Sequence, residues 1–367
     1  MRFDRRKVMS TSEMKVRMVI IGGFLGAGKT TLITRLAKEL MSSKVNVGLI
    51  MNDQADALVD TQYSRALGID SCEVSGGCFC CRFPDFMRNA EKLIDTSKPQ
   101  MVIAEPVGSC TDLLATVVSP LKTIYSERFE VAPLMIMVDA ARVISEGFDT
   151  NGLNGYLRHH QVSEAEVIII SKSDLVSPEQ LERVRSAIDS INPSIRKVIY
   201  SAISGEGFTE IMDVVSGRQV SDRKPTDIDY GLYAEAEAEL GWYNSTIAVD
   251  LNPRTDAFDL GKRFLGSLSE LYPAGDVAHA KVILTTPNTA MKMSCVQGRL
   301  GVDMAKGSRF AEGKGRFTVN ARVVSSPDEL RRNVRTALAK VFPGELDFET
   351  EECFSPSPPK PFHRMKE

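Results

Sequence analysis

The sequence predicts an α/β fold: a first domain on a mainly parallel sheet, followed by a smaller α+β C-terminal domain. Three observations predict it. Gly23-Phe24-Leu25-Gly26-Ala27-Gly28-Lys29-Thr30 has the spacing of a phosphate-binding P-loop, so the first domain reads as a P-loop NTPase domain. Up to residue 217, short runs rich in Val, Ile and Met alternate with helix-like segments, as a parallel α/β sheet requires. Beyond a polar stretch at 217–229, read as a linker, the order changes to β-α-β-β-β-α, that of a small sandwich with helices on one face of an antiparallel sheet.

The strands expected in the first domain are Met18–Gly22, Val45–Met51, Asp70–Val74, Gln100–Glu105, Ala132–Asp139, Glu166–Ser171 and Lys197–Ser201. Most are continuously apolar, which suits a parallel sheet covered on both faces. The helix after the P-loop shows Leu32, Leu36 and Leu40 at helical spacing, and Ser177–Ile191 opens with Ser-Pro and Glu179, a helix-start signature. In the second domain Ala238–Asp250, Ala278–Thr285, Met291–Gln297 and Gly315–Val324 read as strands. Ala257–Leu271 reads as a helix with Phe258, Phe264, Leu265 and Leu268 on its apolar face; Pro327–Phe342 is a second, capped by Ser326 with Glu329 three residues on. The expected units are 1–220, 231–345 and a flexible Pro-rich tail, 346–367.

Composition narrows the function. The 367 residues are 25% charged and 43% apolar with net charge −3, which points away from nucleic acid and anionic membranes as partners. No apolar run approaches the ~20 residues of a membrane span. The first ten residues are charged and lack a secretory apolar core. Seven Cys, three of them clustered, fit a reducing compartment, and the expected location is cytoplasmic. Four His exclude a His-rich storage tract, and His159-His160 reads as a helix-surface or loop pair.

The nucleotide site follows from the P-loop. Gly23, Gly26, Ala27, Gly28 and Thr31 form the cradle, whose backbone N–H groups and helix N-terminus attract phosphate. Lys29 would reach the β- and γ-phosphates, and the Thr30 hydroxyl would sit on Mg²⁺. Glu105, ending the strand Met101–Glu105, is the acid expected near Mg²⁺ and its water. Asn52-Asp53 and Asp139 also stand at strand ends, where open α/β sheets bind ligands. The base reader would be Ser171-Lys172-Ser173-Asp174: the Lys172 stem covers a flat base, and Asp174 accepts two hydrogen bonds from guanine. Ser201-Ala202 could add a backbone donor.

Gly77-Cys78-Phe79-Cys80-Cys81 places three thiols within four residues, a spacing that lets three thiolates converge on one Zn²⁺. The fourth ligand is open among Glu73, Asp85, a nucleotide-linked group and water. A disulfide between adjacent Cys80 and Cys81 is strained. Cys72, Cys110, Cys295 and Cys353 are isolated in sequence and read as core or surface thiols.

With the P-loop, the thiol motif and the Ser171–Asp174 segment preceded by Gln161 in view, the chain resembles the CobW-like family of P-loop GTPases, proposed metal chaperones. The resemblance implies GTP hydrolysis coupled to delivery of Zn²⁺ or Co²⁺ to a client metalloenzyme or corrinoid (cobalamin-dependent) protein. It implies that Lys29 and Thr30 serve the phosphates and Mg²⁺, and that Cys78, Cys80 and Cys81 hold the cargo. The chain departs from the family pattern in having Ser171 for Asn, Pro106-Val107 for Thr-Thr after the acid, Asp53-Gln54-Ala55-Asp56 after Asn52, and few His. The thiols fall in the interval that holds the switches of P-loop proteins, so a metal there would feel the nucleotide state. Two other readings compete: an ATP-dependent small-molecule kinase with a structural zinc, and a non-catalytic, zinc-responsive nucleotide-binding interaction protein.

Overall fold

The computed structural model describes residues 15–52, 59–148, 153–273 and 275–366. In chain order the first part runs β1 (Val16–Gly23), α1 (Lys29–Ser42), β2 (Val47–Asn52), α2 (Val59–Ala66), β3 (Ser71–Val74), α3 (Phe83–Ser97), β4 (Met101–Glu105), α4 (Ser119–Thr123), β5 (Phe129–Val131), β6 (Met135–Asp139), α5 (Ala140–Glu146), α6 (Leu153–Glu164), β7 (Val167–Ser171), α7 (Pro178–Ile191), β8 (Arg196–Tyr200) and α8 (Phe208–Ser216). The strands pair in parallel in the order β3-β2-β4-β1-β6-β7-β8, with β5 beside β1. Strands β1, β2, β4, β6 and β7 are buried at every position, which is why they read as apolar runs without alternation.

The second part runs α9 (Tyr230–Ala238), β9 (Leu240–Asp256), α10 (Ala257–Ser269), β10 (Val277–Thr285), β11 (Ala290–Val296), β12 (Arg299–Lys306), β13 (Phe310–Val324), α11 (Pro327–Val341) and β14 (Asp347–Phe354). Its antiparallel sheet has the order β12-β11-β10-β13-β9-β14. Side chains alternate across it. Val282 and Leu284 of β10 face the core beneath α10 and α11, whereas Ile283 faces the other way and packs on Val59 and Tyr63 of α2. The helix that follows β2 of the parallel sheet therefore covers the open face of the second sheet. Helix α9 packs on α6, and Tyr233, Ala236, Leu240 and Trp242 belong to the core of the parallel sheet.

Several expectations need correction. Helix α9 and strands β5, β12 and β14 were not expected, and β9 begins two residues later than predicted and continues to Asp256. Both unexpected strands of the second sheet are its edges. Edge strands carry charge that discourages pairing with other chains, and β14 (Asp-Phe-Glu-Thr-Glu-Glu-Cys-Phe) has almost no apolar pattern to read. The tail expected from 346 carries β14, which pairs with β9, and the chain beyond it runs back to the parallel sheet, where Phe362 N–H donates to Cys80 O (2.8 Å) and Met365 N–H to Ala115 O (3.0 Å). Among the described residues, no helix is long and apolar enough to cross a membrane.

Candidate nucleotide and metal site

The P-loop joins β1 to α1. Gly23 has φ +130°, and a Cβ there would lie 2.3 Å from Met137 O of β6. At Gly26 (φ +79°) it would lie 2.6 Å from Val296 of β11, so the second sheet closes directly on this loop. The buried Lys29 ammonium donates to Gly23 O (2.8 Å) and Phe24 O (3.4 Å). Burial lowers its pKa, and the neighbouring Glu105 opposes that shift. Thr30 Oγ1 donates to Glu105 Oε1 at 3.0 Å. Glu105 is buried, which raises its pKa, and its Oε2 has no hydrogen-bond partner. An unpartnered buried carboxylate oxygen beside a hydroxyl suits Mg²⁺ and its water, so Thr30 and Glu105 fit that ion.

Beside these residues is a cavity of about 60 Å³, lined by Gly26, Gly28, Thr31 and, from the second sheet, Lys281, Lys292 and Val296. Both lysines meet Asp60 at the start of α2: Lys281 as a close ion pair and Lys292 at 3.6 Å. The two ammonium groups hold the Asp60 carboxyl below its usual range despite burial. Sequence reasoning missed this triad because its members come from elements more than 200 residues apart. Asp53 lies outside the described residues.

The expected base reader sits at the end of β7. Asp174 is exposed and its Oδ1 accepts from Ser201 Oγ (2.6 Å). Ser201 thus works through its hydroxyl; its N–H donates to Glu206 O at 3.3 Å rather than standing ready for a base. Lys172, at φ +58°, pairs with Asp139 (2.6 Å), which also caps α5 by accepting from Arg142 N–H. Ser171 Oγ donates to Ala27 O of the P-loop (2.8 Å), tying β7 to the phosphate cradle. Gln161 is not part of this group. Its amide donates to Gly108 O (3.0 Å) and Cys110 O (2.9 Å), bracing the loop that follows Glu105.

The thiol loop lies at the same end of the sheet, between β3 and α3. The sulfurs of Cys78, Cys80 and Cys81 all lie within 4.8 Å of one another, and Cys78 and Cys80 are buried. Asn52, the last residue of β2, clamps this loop. Its amide donates to Val74 O (2.8 Å) and Gly77 O (2.9 Å), and its Oδ1 accepts from Phe79 N–H (2.8 Å). Cys110 is buried in the same core cluster as Cys78 and Cys80. Hydrogen bonds from Cys110, Cys80 and Cys81 hold the Cys78 thiol well below its usual pKa. Hydrogen bonding to Cys110 and Cys78 pushes Cys80 up, and the Cys78 partner pushes Cys81 up to about 11. The cluster thus favours one thiolate and resists a second unless a cation arrives, which suits a soft divalent ion.

Of the fourth ligands expected, Asp85 is taken by Arg82 (2.5 Å) and Arg88 (2.8 Å). Glu237 of α9 is a carboxylate that the sequence did not suggest. It accepts from Ser109 Oγ (2.5 Å), and burial, with Cys78 nearby, pushes it up to about 8. A cavity of about 230 Å³ opens beside the thiols, walled by Cys78, Cys81, Glu237 and the tail residues Ser357 to Lys360. Lys360 N–H donates to Cys81 Sγ at 3.1 Å.

The sequence model of the family described as CobW/HypB/UreG, nucleotide-binding domain, matches residues 17–198. The chain is 29% identical over 314 residues to "Zinc chaperone CobW" of Sinorhizobium sp, covering 76% of this chain and 84% of the relative. It is 26% identical over 208 residues to "Zinc-regulated GTPase metalloprotein activator 1" of Schizosaccharomyces pombe, covering 54% and 49% respectively. A crystal structure of Zn(II)-bound YjiA GTPase from E. coli aligns with TM-score 0.39 at 17% identity, over 89% of this chain and 99% of that one.

Proposed function

Taking as premise that the nucleotide-binding domain of this chain belongs to the CobW/HypB/UreG family, we propose that the protein binds and hydrolyses GTP and uses the cycle to load and release a divalent metal, Zn²⁺ or Co²⁺, for a client metalloenzyme or corrinoid protein. The observation that carries this reading is the shared scaffold of the two sites. Asn52 ends β2 and grips the thiol loop, while Glu105 ends β4, the strand paired with β2. The segment after Asn52 and the loop after Glu105 are those that rearrange with the nucleotide state in P-loop proteins.

In this reading Lys29 turns from the carbonyls of its own loop to the β/γ-phosphate oxygens. Thr30 and Glu105 would hold Mg²⁺ and its water, and that ion would supply neutralisation of the charge that develops on the transferred phosphoryl group. Glu105 orients water through its Oε2. Asp174, held in place by Ser201, accepts from the guanine amino and imino groups. Lys281 and Lys292 add positive charge from the second sheet, and Asp60 relays their position to α2. The cargo ion enters as substrate through the cavity beside Cys81. Its thiol protons pass to solvent as the metal–sulfur bonds form, so loading weakens in acid.

The test is a titration of purified protein with Co²⁺ and Zn²⁺ in the presence of GDP or a non-hydrolysable GTP analogue. Thiolate-to-cobalt absorption should appear with the parent and vanish in the Cys78→Ser/Cys80→Ser/Cys81→Ser variant, while Cys295→Ser keeps it. Metal affinity should differ between nucleotides by about 5–150-fold, the range of a ~1–3 kcal/mol coupling. Equal affinities would leave a GTPase with a static metal and remove the delivery cycle.

A further inference from the structure

Strand alternation sorts β10 and β11 into two faces. Val282, Leu284, Met291, Met293 and Cys295 turn into the core beneath α10 and α11. Lys281, Ile283, Lys292, Ser294 and Val296 are left on the open face, where the register sets Lys281 opposite Ser294 and Ile283 opposite Lys292. That face meets two parts of the first domain. Ile283 packs on Val59 and Tyr63 of α2, whereas Val296 and both lysines wall the cavity beside the P-loop with Gly26, Gly28 and Thr31. Among the described residues, the charged side chains lining that cavity are Lys29, Lys281, Lys292 and Glu105. Both sheet lysines also reach Asp60 of α2, Lys281 as a close ion pair and Lys292 at 3.6 Å, with the Lys292 ammonium 4.5 Å from the centre of the Tyr63 ring. Two ammonium groups thus stand between a carboxylate on α2 and the loop that cradles phosphate. Lys292 is 3% exposed, and the space it borders is the one that a terminal phosphate would enter.

We propose that Lys281 and Lys292 sense the terminal phosphate of a bound nucleoside triphosphate, which takes their ammonium groups from Asp60 and so releases α2 from the second sheet. This role rests on the GTP-binding reading above. A terminal phosphate offers three strong acceptor oxygens and more negative charge than one carboxylate, so it outcompetes Asp60 for two ammonium groups. A diphosphate ends one phosphate short, and after hydrolysis the lysines return to Asp60. Helix α2 is then latched again by these ion pairs, by Val59 N–H on Asn320 Oδ1 (2.9 Å) and by the Gln62 amide on Thr318 Oγ1 (3.3 Å). Polar contacts of this kind exchange with water at small net cost, so the latch opens and closes without unfolding either domain.

Affinities for GDP and for a non-hydrolysable GTP analogue, measured by competition with a fluorescent GDP, separate a phosphate sensor from a plain contact between domains. In Lys281→Met and in Lys292→Met, which keep an apolar stem, the analogue should bind about tenfold or more weaker, the cost of one charge-assisted hydrogen bond, while GDP affinity changes little. Asp60→Asn removes the competing carboxylate and should shift the ratio of the two affinities towards the analogue. Hydrogen exchange gives a second readout. The Val59 amide should exchange faster with the analogue than with GDP in the parent, and the difference should vanish in Lys281→Met/Lys292→Met. Equal losses of both nucleotides in the lysine variants, an unmoved ratio in Asp60→Asn, or Val59 exchange indifferent to nucleotide in the parent each overturn the proposal. A lysine variant that binds no GDP has lost its fold, and Asp60→Asn with Val59 exchange in the parent then decides. A parent that binds no GDP would refute the nucleotide reading itself, and this role with it.

Discussion

Thr30 Oγ1 donates a 3.0 Å hydrogen bond to Glu105 Oε1, joining the first turn of α1 to the end of β4 and leaving Glu105 Oε2 buried without a partner. If Glu105 positions the Mg²⁺ shell and its water, Glu105→Gln keeps the bond from Thr30 but loses the charge. GTP turnover should fall by roughly 10²-fold, with a smaller change in GDP affinity. Phosphate-release kinetics beside equilibrium nucleotide binding check this; a variant with parental kcat would remove Glu105 from the mechanism.

Lys29 donates to two carbonyls of its own loop from a buried position. Lys29→Ala deletes the cation expected at the β/γ-phosphates, so hydrolysis should be abolished and triphosphate affinity should weaken. Turnover at the parental rate would show that this loop does not hold the phosphates.

Asp174 is exposed and oriented by Ser201. Asp174→Asn should lose the preference for GTP over ATP, because its side chain no longer accepts two hydrogen bonds. Ser201→Ala should weaken the preference without abolishing it. Competition of labelled GDP by GTP and ATP reads both, and equal competition in the parent would refute guanine selectivity.

The C-terminal segment covers the thiols through Lys360 on Cys81 and Phe362 on Cys80, and Arg364 anchors it to Asp112 at 2.9 Å. Removing residues 357–367 should make Cys81 react faster with a thiol reagent and speed metal exchange in both directions. Arg364→Ala should move both rates the same way by less. Unchanged rates would mean that the tail does not control access.

Buried Glu164 accepts from Leu114 N–H (3.0 Å) and Thr111 Oγ1 (3.1 Å), and burial pushes its pKa up to about 8 from 4.5. Between those values the folded chain keeps a proton that the unfolded chain has lost. Stability therefore declines as pH rises across this window, and the effect is absent below it. Glu164→Gln cannot ionise, so the urea midpoint of the metal-free variant should fall less steeply from about pH 5 to 8 than the parent's. Glu237, also near 8, leaves a residual slope in both. Parallel slopes would show that Glu164 is not protonated in the folded state.

What the sequence alone determined is local in the chain. The P-loop spacing, the apolar strands of the parallel sheet and the closely spaced thiols are each written within about ten residues, where backbone geometry and hydrophobic period leave a readable pattern. The helices Pro178–Ile191 and Pro327–Val341 were legible for the same reason, through Ser177 and Ser326 at their caps. Tertiary structure alone decided which distant groups meet. Asn52 reads as a strand-end amide until the thiol loop closes on it. Lys281 and Lys292 read as strand lysines until α2 brings Asp60 between them. The tail looks free in sequence because Pro-rich chain has little pattern of its own; its order comes from backbone hydrogen bonds to Cys80, Cys81 and Ala115. Such contacts depend on long loop closures driven by the packing of two whole sheets, and no local run of residues encodes them.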